Sequence, residues 1–550
     1  MTQASEQMTV LHNVRVCTMN PQQPEADALA WRGDRILAVG AEADVRAAAG
    51  NDARLVDGWG RTVLPGLIDS HIHFMGYATG LLRVDLEGVP SLGEALERVA
   101  ERSATTQPGD WVRGGGWNNN LWRPNGFPDR ADLDRVTGDR PAVMTRKDGH
   151  SSWVNSAALA AGGVTRETPD PPGARIGRDA SGEPDGMLYE WAAIDLVHRH
   201  MPDEAEAERA GAVRQALHNA AAAGLTGFHD IEGPEAFTAF QRLSEAGDLP
   251  LRVFMLLALD SLMEGIELGL RTGFGNDRLR LGQVKIFSDG SLGSQTAQML
   301  APFEGTTDNY GVETISQDDL ERALLAAGKA GIGVAVHAIG DAANRRVLDA
   351  FARARREESG LDTLPIGPDA DGYALYPLRH RIEHAQLVDP ADWHRFRELG
   401  VIASMQPIHA TSDMEAADRL WGERAARGAY AWRTLGRAGA RLAFGSDCPV
   451  ESFDPLLGIH AAVTRRTPAG EPPEGWHAEE CLDVTQAVRA YTVGAAYASG
   501  EEELKGSLVP GKLADMVLLD RDIFACDPQD IPKTRVTTTI VGGSVVAGAL

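Results

Sequence analysis

Short apolar runs recur through the middle of the chain, separated by longer amphipathic stretches. Eight of these runs read as buried strands: Val63–Ser70, Thr226–Asp230, Arg252–Ala258, Gln283–Ser288, Gly333–His337, Arg381–Leu387, Val401–Gln406 and Arg441–Ser446. Strands covered on both faces are apolar almost throughout and do not alternate. Between most of them the spacing is helical. Ala205–Ala223 stops at Gly224, a C-terminal cap glycine. Asp318–Ala330 begins on an acidic turn and stops at Gly331. Eight β/α units predict a (β/α)8 barrel of the TIM type, with its active site at the C-terminal ends of the strands. A doubly wound open sheet shares the alternation, but no glycine-rich phosphate loop supports it.

Both ends of the chain are strand-rich. Thr9–Val16, Ala28–Gly40 with a turn at Gly33-Asp34, and Arg54–Asp57 make a small β module. Lys512–Asp520 and Val536–Val546, turning at Gly542-Gly543, echo it at the other end. Either module alone is short of core, so residues 1–63 and 505–550 are expected to form one discontinuous β-sandwich around a barrel of residues 64–504. The stretch 75–204 breaks the alternation and holds strand-like pieces of its own, Trp111–Trp117 and Pro141–Arg146. It is expected to be an inserted subdomain over the barrel mouth.

Composition narrows the partners. The chain has 550 residues, 43% hydrophobic and 24% charged, ordinary for a globular protein. A formal net charge of -25 argues against nucleic acid or an anionic membrane surface, since both need a basic face. Four scattered cysteines, Cys17, Cys448, Cys481 and Cys526, give no Cys-x-x-Cys pair and fit a reducing cytoplasm. The first residues lack the basic start and apolar core of a secretory signal, and no apolar run reaches membrane-span length. A homodimer is compatible with all of this.

Chemistry gathers at the strand ends. His71-Ile72-His73 ends the first strand, and residues i and i+2 of a strand point the same way. The fourth strand carries Lys285 among apolar neighbours, the fifth ends in His337, the sixth in His384 and the eighth in Asp447. Each has a bland reading. A strand-end histidine is usually only hydrogen-bonded, Lys285 could snorkel to the rim, and Asp447 could cap a helix. In a barrel, however, these ends converge on one rim, where imidazoles and a carboxylate can hold Zn2+ or a similar ion.

With these residues in place, the chain resembles the metal-dependent hydrolases of the amidohydrolase superfamily. That family carries His-x-His on strand 1, Lys or Glu on strand 4, His on strands 5 and 6, and Asp on strand 8. Within it the chain looks most like the YtcJ-like branch, which includes N-substituted formamide deformylases. The segments that carry this are Gly116–Trp122, Asp148–Ser156, Asp185–Glu190, Val284–Ser291 and His337–Asp341. The resemblance implies that His71, His73, Lys285, His337, His384 and Asp447 bind one or two divalent ions. Metal-activated water would then be the nucleophile and Asp447 the proton shuttle. A metal beside Lys285 favours its neutral amine, which can take up CO2, and the resemblance implies a carboxylated Lys285 bridging two ions. With one ion, Lys285 would only position groups.

Other residues keep two readings. His229, ending the second strand, either touches substrate or makes a structural hydrogen bond. Trp117, Trp122, His150 and Trp153 either line the substrate pocket or form the core of the insertion. Branch members often have an acidic residue after the first tryptophan, where this chain has Asn118. Arg381 is expected to pair with a carboxylate near the metal ligands. Glu383 is expected, by strand alternation, to face the helices and stay out of the site. The expected activity is hydrolysis of a non-peptide amide-type C–N bond, such as that of an N-substituted formamide. The alternatives are a cyclic amide or amidine hydrolase or deaminase on the same centre, and a non-catalytic ligand-binding barrel.

Overall fold

The computed structural model describes residues 7–107, 109–124, 126–147, 151–172, 174–202, 206–357, 367–368 and 374–550. The chain forms two compact units, one of residues 1–75 and 217–550 and the other of 76–216.

The larger unit contains an eight-stranded parallel sheet whose strands follow chain order. They are β1 (Leu67–Ile72), β2 (Leu225–Asp230), β3 (Arg252–Ala258), β4 (Leu279–Phe287), β5 (Val334–Ala338), β6 (Arg381–His384), β7 (Ile402–Met405) and β8 (Arg441–Phe444). The barrel is nearly closed. Past the last ladder, Asp447 N–H donates to His71 O at 2.7 Å and His73 N–H to Cys448 O at 2.8 Å. The buried Asp69 carboxylate also accepts from Ser446 N at 3.1 Å and from its Oγ. Burial pushes the Asp69 carboxyl up to about 7, against the pull of these hydrogen bonds.

All eight expected strands exist with shifted boundaries: β4 starts four residues earlier, at Leu279, and two other shifts bear on the site. Val63–Pro65 belongs to the strand Arg54–Pro65 of a different sheet, and β1 starts only at Leu67. Gly66 makes the transfer: a Cβ there would lie 2.2 Å from Thr226 Oγ1, so only glycine fits beside β2. Strand β6 stops at His384 because His384 (φ 75°) and Ala385 (φ 43°) adopt left-handed backbone.

The two ends of the chain meet in one eight-stranded sheet. Met516–Leu519 pairs antiparallel with Arg54–Pro65, which runs parallel to Thr9–Cys17. Leu11, Val16, Leu29 and Trp31 share a core with Met516, Leu518 and Ile540. The helix Glu42–Ala49, unannounced by the strand-rich pattern, buries Val45 against Val10, Ala28 and Ala30. A buried ion pair ties this sheet to β3: Arg252 Nε and Nη2 lie 2.6 and 2.8 Å from the two oxygens of Asp515.

The smaller unit has a six-stranded mixed sheet, from Arg175–Arg178 at one edge to Val84–Asp85 at the other. Its helices include Leu92–Thr105, capped by Ser91, and Arg130–Thr137, opened by an Asp129/Asp132 capping box. Among the described residues, no helix is long and apolar enough to cross a membrane.

Candidate metal centre

Strand ends place the ligand candidates, and hydrogen bonds behind them decide which atoms face inward. His71 is fully buried, with Nδ1 2.6 Å from Glu383 Oε2. A carboxylate only accepts, so Nδ1 carries the proton and Nε2 turns a lone pair into the site. That Nε2 is buried without a hydrogen bond, 3.3 Å from Asp447 Oδ1. His384 repeats the arrangement, with Nδ1 donating to Gln406 Oε1 at 2.9 Å. His337 uses the other nitrogen: Nε2 donates to Gly290 O at 3.0 Å, and buried Nδ1 has no partner. Three acceptors on three elements thus leave three imidazole lone pairs available.

The rings converge. Centroids of His71 and His384 lie 4.7 Å apart, and those of His337 and His384 4.5 Å. Ligand atoms of His71, His384 and Asp447 all lie within 4.8 Å of one another. His73, the most open of the group with 31% of its side chain exposed, brings Nε2 within 3.3 Å of Asp447 Oδ1. Burial favours the neutral form of His337 and His384, the form metal ligation requires. It pushes His337 down to about 3, helped by the charge of Lys285, and holds His384 well below the usual histidine range. Asp447 behaves oppositely. Burial works to raise its carboxyl, but the neighbouring His71 and the hydrogen bond from His409 outweigh burial and hold it well below the carboxylate range.

Lys285 lies on β4 with 4% exposure, and its Nζ is buried with no hydrogen-bond partner. Burial pushes its ammonium down to about 8, although Glu383 and Asp447 pull the other way. Neutral imidazoles aimed at one point, an ionised carboxylate and a partnerless buried lysine are a donor set suited to a borderline divalent cation. The buried ligand atoms without partners are what an ion would satisfy.

A model of the amidohydrolase family matches residues 54–547 of this chain. The chain belongs to the amidohydrolase family. It is similar to a putative amidohydrolase, YtcJ, of Bacillus subtilis (strain 168), 32% identical over 94% of this chain and 96% of the relative. It is also similar to the N-substituted formamide deformylase of Arthrobacter pascens, 32% identical over 99% and 98% of the two chains. Among solved structures, an uncharacterized metal-dependent hydrolase from Pyrococcus horikoshii OT3 aligns with a TM-score of 0.77 at 26% identity, covering 95% of this chain and 99% of that one. This amidohydrolase is therefore a hydrolase of carbon–nitrogen bonds on a TIM-type barrel, and it carries a candidate His/His/Asp metal site.

Several expectations about the surrounding residues need correction. Glu383 does not face the helices. It is fully buried inside the barrel, bound to His71 on one oxygen and 2.7 Å from Arg381 Nε on the other. Alternation correctly groups Arg381 with Glu383, but it fails for His384, whose left-handed backbone swings the ring round to the same site. Arg381 does pair with a carboxylate, and that carboxylate is Glu383. Burial works to raise the Glu383 carboxyl, but Arg381 and His71 hold it well below the usual range.

His229 is 1% exposed, and its Nδ1 accepts from Arg381 Nη1 at 3.0 Å, which is the structural of its two readings. Trp117, Trp122 and Trp153 lie in the core of the smaller unit, the second of their two readings. They are at most 1% exposed, pack with Leu133, Val112 and Met144, and donate their indole N–H groups to the carbonyls of Met144, Val89 and Asp129. His150 lies outside the described residues.

His409 is a residue the sequence reading missed. It sits in the first turn of the helix Pro407–Trp421, with Nε2 3.3 Å from Asp447 Oδ2. Burial opposes its protonation, but the contact with Asp447 outweighs burial and raises it. It follows the end of β7 by one helical turn, so a search confined to strand ends passes it over. Asp289 was likewise passed over as a residue after the lysine strand. It accepts from the N–H groups of Gln298, Ile339 and Gly340 and shapes the backbone beyond His337.

Proposed function

We propose that this amidohydrolase cleaves a non-peptide amide-type C–N bond at the β1–β8 rim, with an N-substituted formamide as the leading substrate class. The observation that carries this is the convergence of His71, His384 and Asp447 within 4.8 Å, with His71 Nε2 buried and unsatisfied. His71, His73, His337, His384 and Asp447 would hold a divalent ion, most suitably Zn2+. Lys285 joins them as a carboxylated bridge if two ions bind. When bound, such an ion polarises a carbonyl and lowers the pKa of water.

The chain's own groups do the remaining work. Glu383 and Gln406 hold the tautomers of His71 and His384. Asp447, kept ionised, accepts a proton at a carboxylate oxygen and returns it to the leaving nitrogen. His409 steadies the other oxygen of that carboxylate. A cavity of about 360 Å3 runs from Lys285 between the ends of β2, β3 and β4, walled largely by Ile231, Leu256, Leu257, Phe287 and Ile315. Its apolar walls would take a hydrocarbon substituent, and Glu232 and Asp260 in the same lining disfavour an anionic one. Four free cysteines, with Cys17 and Cys448 buried, support a cytoplasmic setting.

The test is a panel of N-alkyl and N-aryl formamides beside cyclic amides, assayed with the metal-loaded protein for released formate or opened ring. Asp447→Asn should lower turnover of any confirmed substrate by at least about a hundredfold. Hydrolysis at the parent rate by that variant sinks the proton-shuttle role. Ring opening without formate release moves the substrate to the cyclic class.

A further inference from the structure

At the opposite end of the barrel from the metal ligands, a cavity of about 320 Å3 is lined by four arginines, Arg433, Arg437, Arg441 and Arg489, and by no carboxylate. The chain carries 78 acidic and 53 basic residues, so a concentration of positive charge without a lining counter-charge runs against its composition.

How each guanidinium is held matters. Arg433 donates to the carbonyl of Glu479 and Arg489 to that of Met19, both at 3.1 Å. A neutral carbonyl orients a guanidinium without cancelling its charge and uses one of its five N–H donors. Arg437 is exposed and forms no ion pair among the described residues. It follows Arg433 by four positions on the helix Trp432–Arg437, a like-charged pair on one helical face. Arg441, at the start of β8, stacks over the Tyr497 ring at 4.1 Å. Burial, and further the charge of Arg489, disfavour its charged form, while Tyr497 and Glu502 act the other way. Four guanidinium-bearing side chains border one space, whose other walls include Leu442, Leu482 and Val493.

We propose that this cavity binds a small organic anion, its carboxylate or phosphate group among the four arginines and its apolar body against Leu442, Leu482 and Val493. Planar guanidinium forks suit both oxyanions. The site is distinct from the catalytic rim. Arg441 opens β8 and Asp447 lies three residues beyond its far end. A ligand held here contacts the base of β8, the strand that leads to Asp447, and the helix Trp432–Arg437 packed beside it.

The experiment is calorimetric titration of the metal-loaded full-length protein with 4-bromobenzoate, phenyl phosphate, inorganic phosphate and benzyl alcohol. The expected result is saturable binding of one or both aromatic anions, at least tenfold weaker binding of inorganic phosphate, and none of benzyl alcohol. The stronger of the two aromatic anions identifies the head group. The double variant Arg437→Gln/Arg441→Gln should bind at least tenfold more weakly while keeping the parent's metal content. Unchanged binding in that variant, or no aromatic anion bound at millimolar concentration, overturns the proposal. Crystals of the parent soaked with 4-bromobenzoate test it without any variant. An anomalous bromine signal in the arginine cavity supports the site, and a signal only at the metal ligands refutes it.

Discussion

Glu383 shows how much of the centre depends on residues behind the ligands. Its two oxygens meet a cation, Arg381, and an imidazole, His71, at full burial. An ionised carboxylate at this depth is tolerable only when so paired. In return it fixes the orientation and raises the basicity of the His71 ring. Glu383→Gln keeps the shape and removes the charge. Metal affinity, read by competition with a chromogenic chelator, should fall about 10–100-fold while the far-ultraviolet circular dichroism stays that of the parent. Parent-like affinity would show that the carboxylate does not tune the ligand. The pair His71 and His73 was legible because i, i+2 spacing needs no tertiary knowledge. Glu383 was not, because its side follows from where β6 abandons extended geometry, and nothing in Arg381-Ile382-Glu383-His384 marks that point.

At the scale of elements, eight apolar runs announced eight strands, since a strand buried on both faces has little choice of residue type. Boundaries needed neighbours. Val63–Pro65 and Leu67–Ile72 read as one apolar run, and only pairing with Met516–Leu519 on one side and β2 on the other divides them. The Arg252–Asp515 pair clamps that division from beneath. Removing one partner strands a buried charge, so Arg252→Ala should cost about 3–5 kcal/mol in urea unfolding. The pair also predicts a pH dependence. Burial opposes ionisation of Asp515, but Arg252 outweighs it and depresses the folded-state pKa. Its contribution is thus complete above the unfolded value of about 3.9 and is lost as pH falls through the lower folded value. The stability gap between the parent and Asp515→Asn should therefore narrow as pH drops below about 4. A gap that widens on acidification would contradict this.

For the whole molecule, the centre is assembled from strands far apart in sequence: His71 and Asp447 are brought within 3.3 Å across 375 intervening positions by closure of the barrel. An ion held there cross-links the folded state and has no equivalent site in the unfolded chain. Chelation should lower the melting temperature, and re-adding Zn2+ should restore it. An ion at a thousandfold excess over its Kd contributes about 4 kcal/mol. An unchanged melting temperature after metal analysis confirms removal would argue against a shared site on these strands. Residues 76–216 form a compact unit of their own, with Trp117, Trp122 and Trp153 in its core. Composition alone could not separate that role from a ligand pocket, because large aromatics serve both.

The sequence by itself determined the class of fold, the order of the strands and the residue types at their ends, because apolar periodicity and strand alternation are local properties of the chain. Tertiary structure decided the rest. The Asp447 contact with His409, the Glu383 support of His71 and the burial that keeps His337 neutral all join segments distant in sequence. Such contacts exist only once the barrel closes, and they depend on distance and desolvation, which no local pattern of residues encodes.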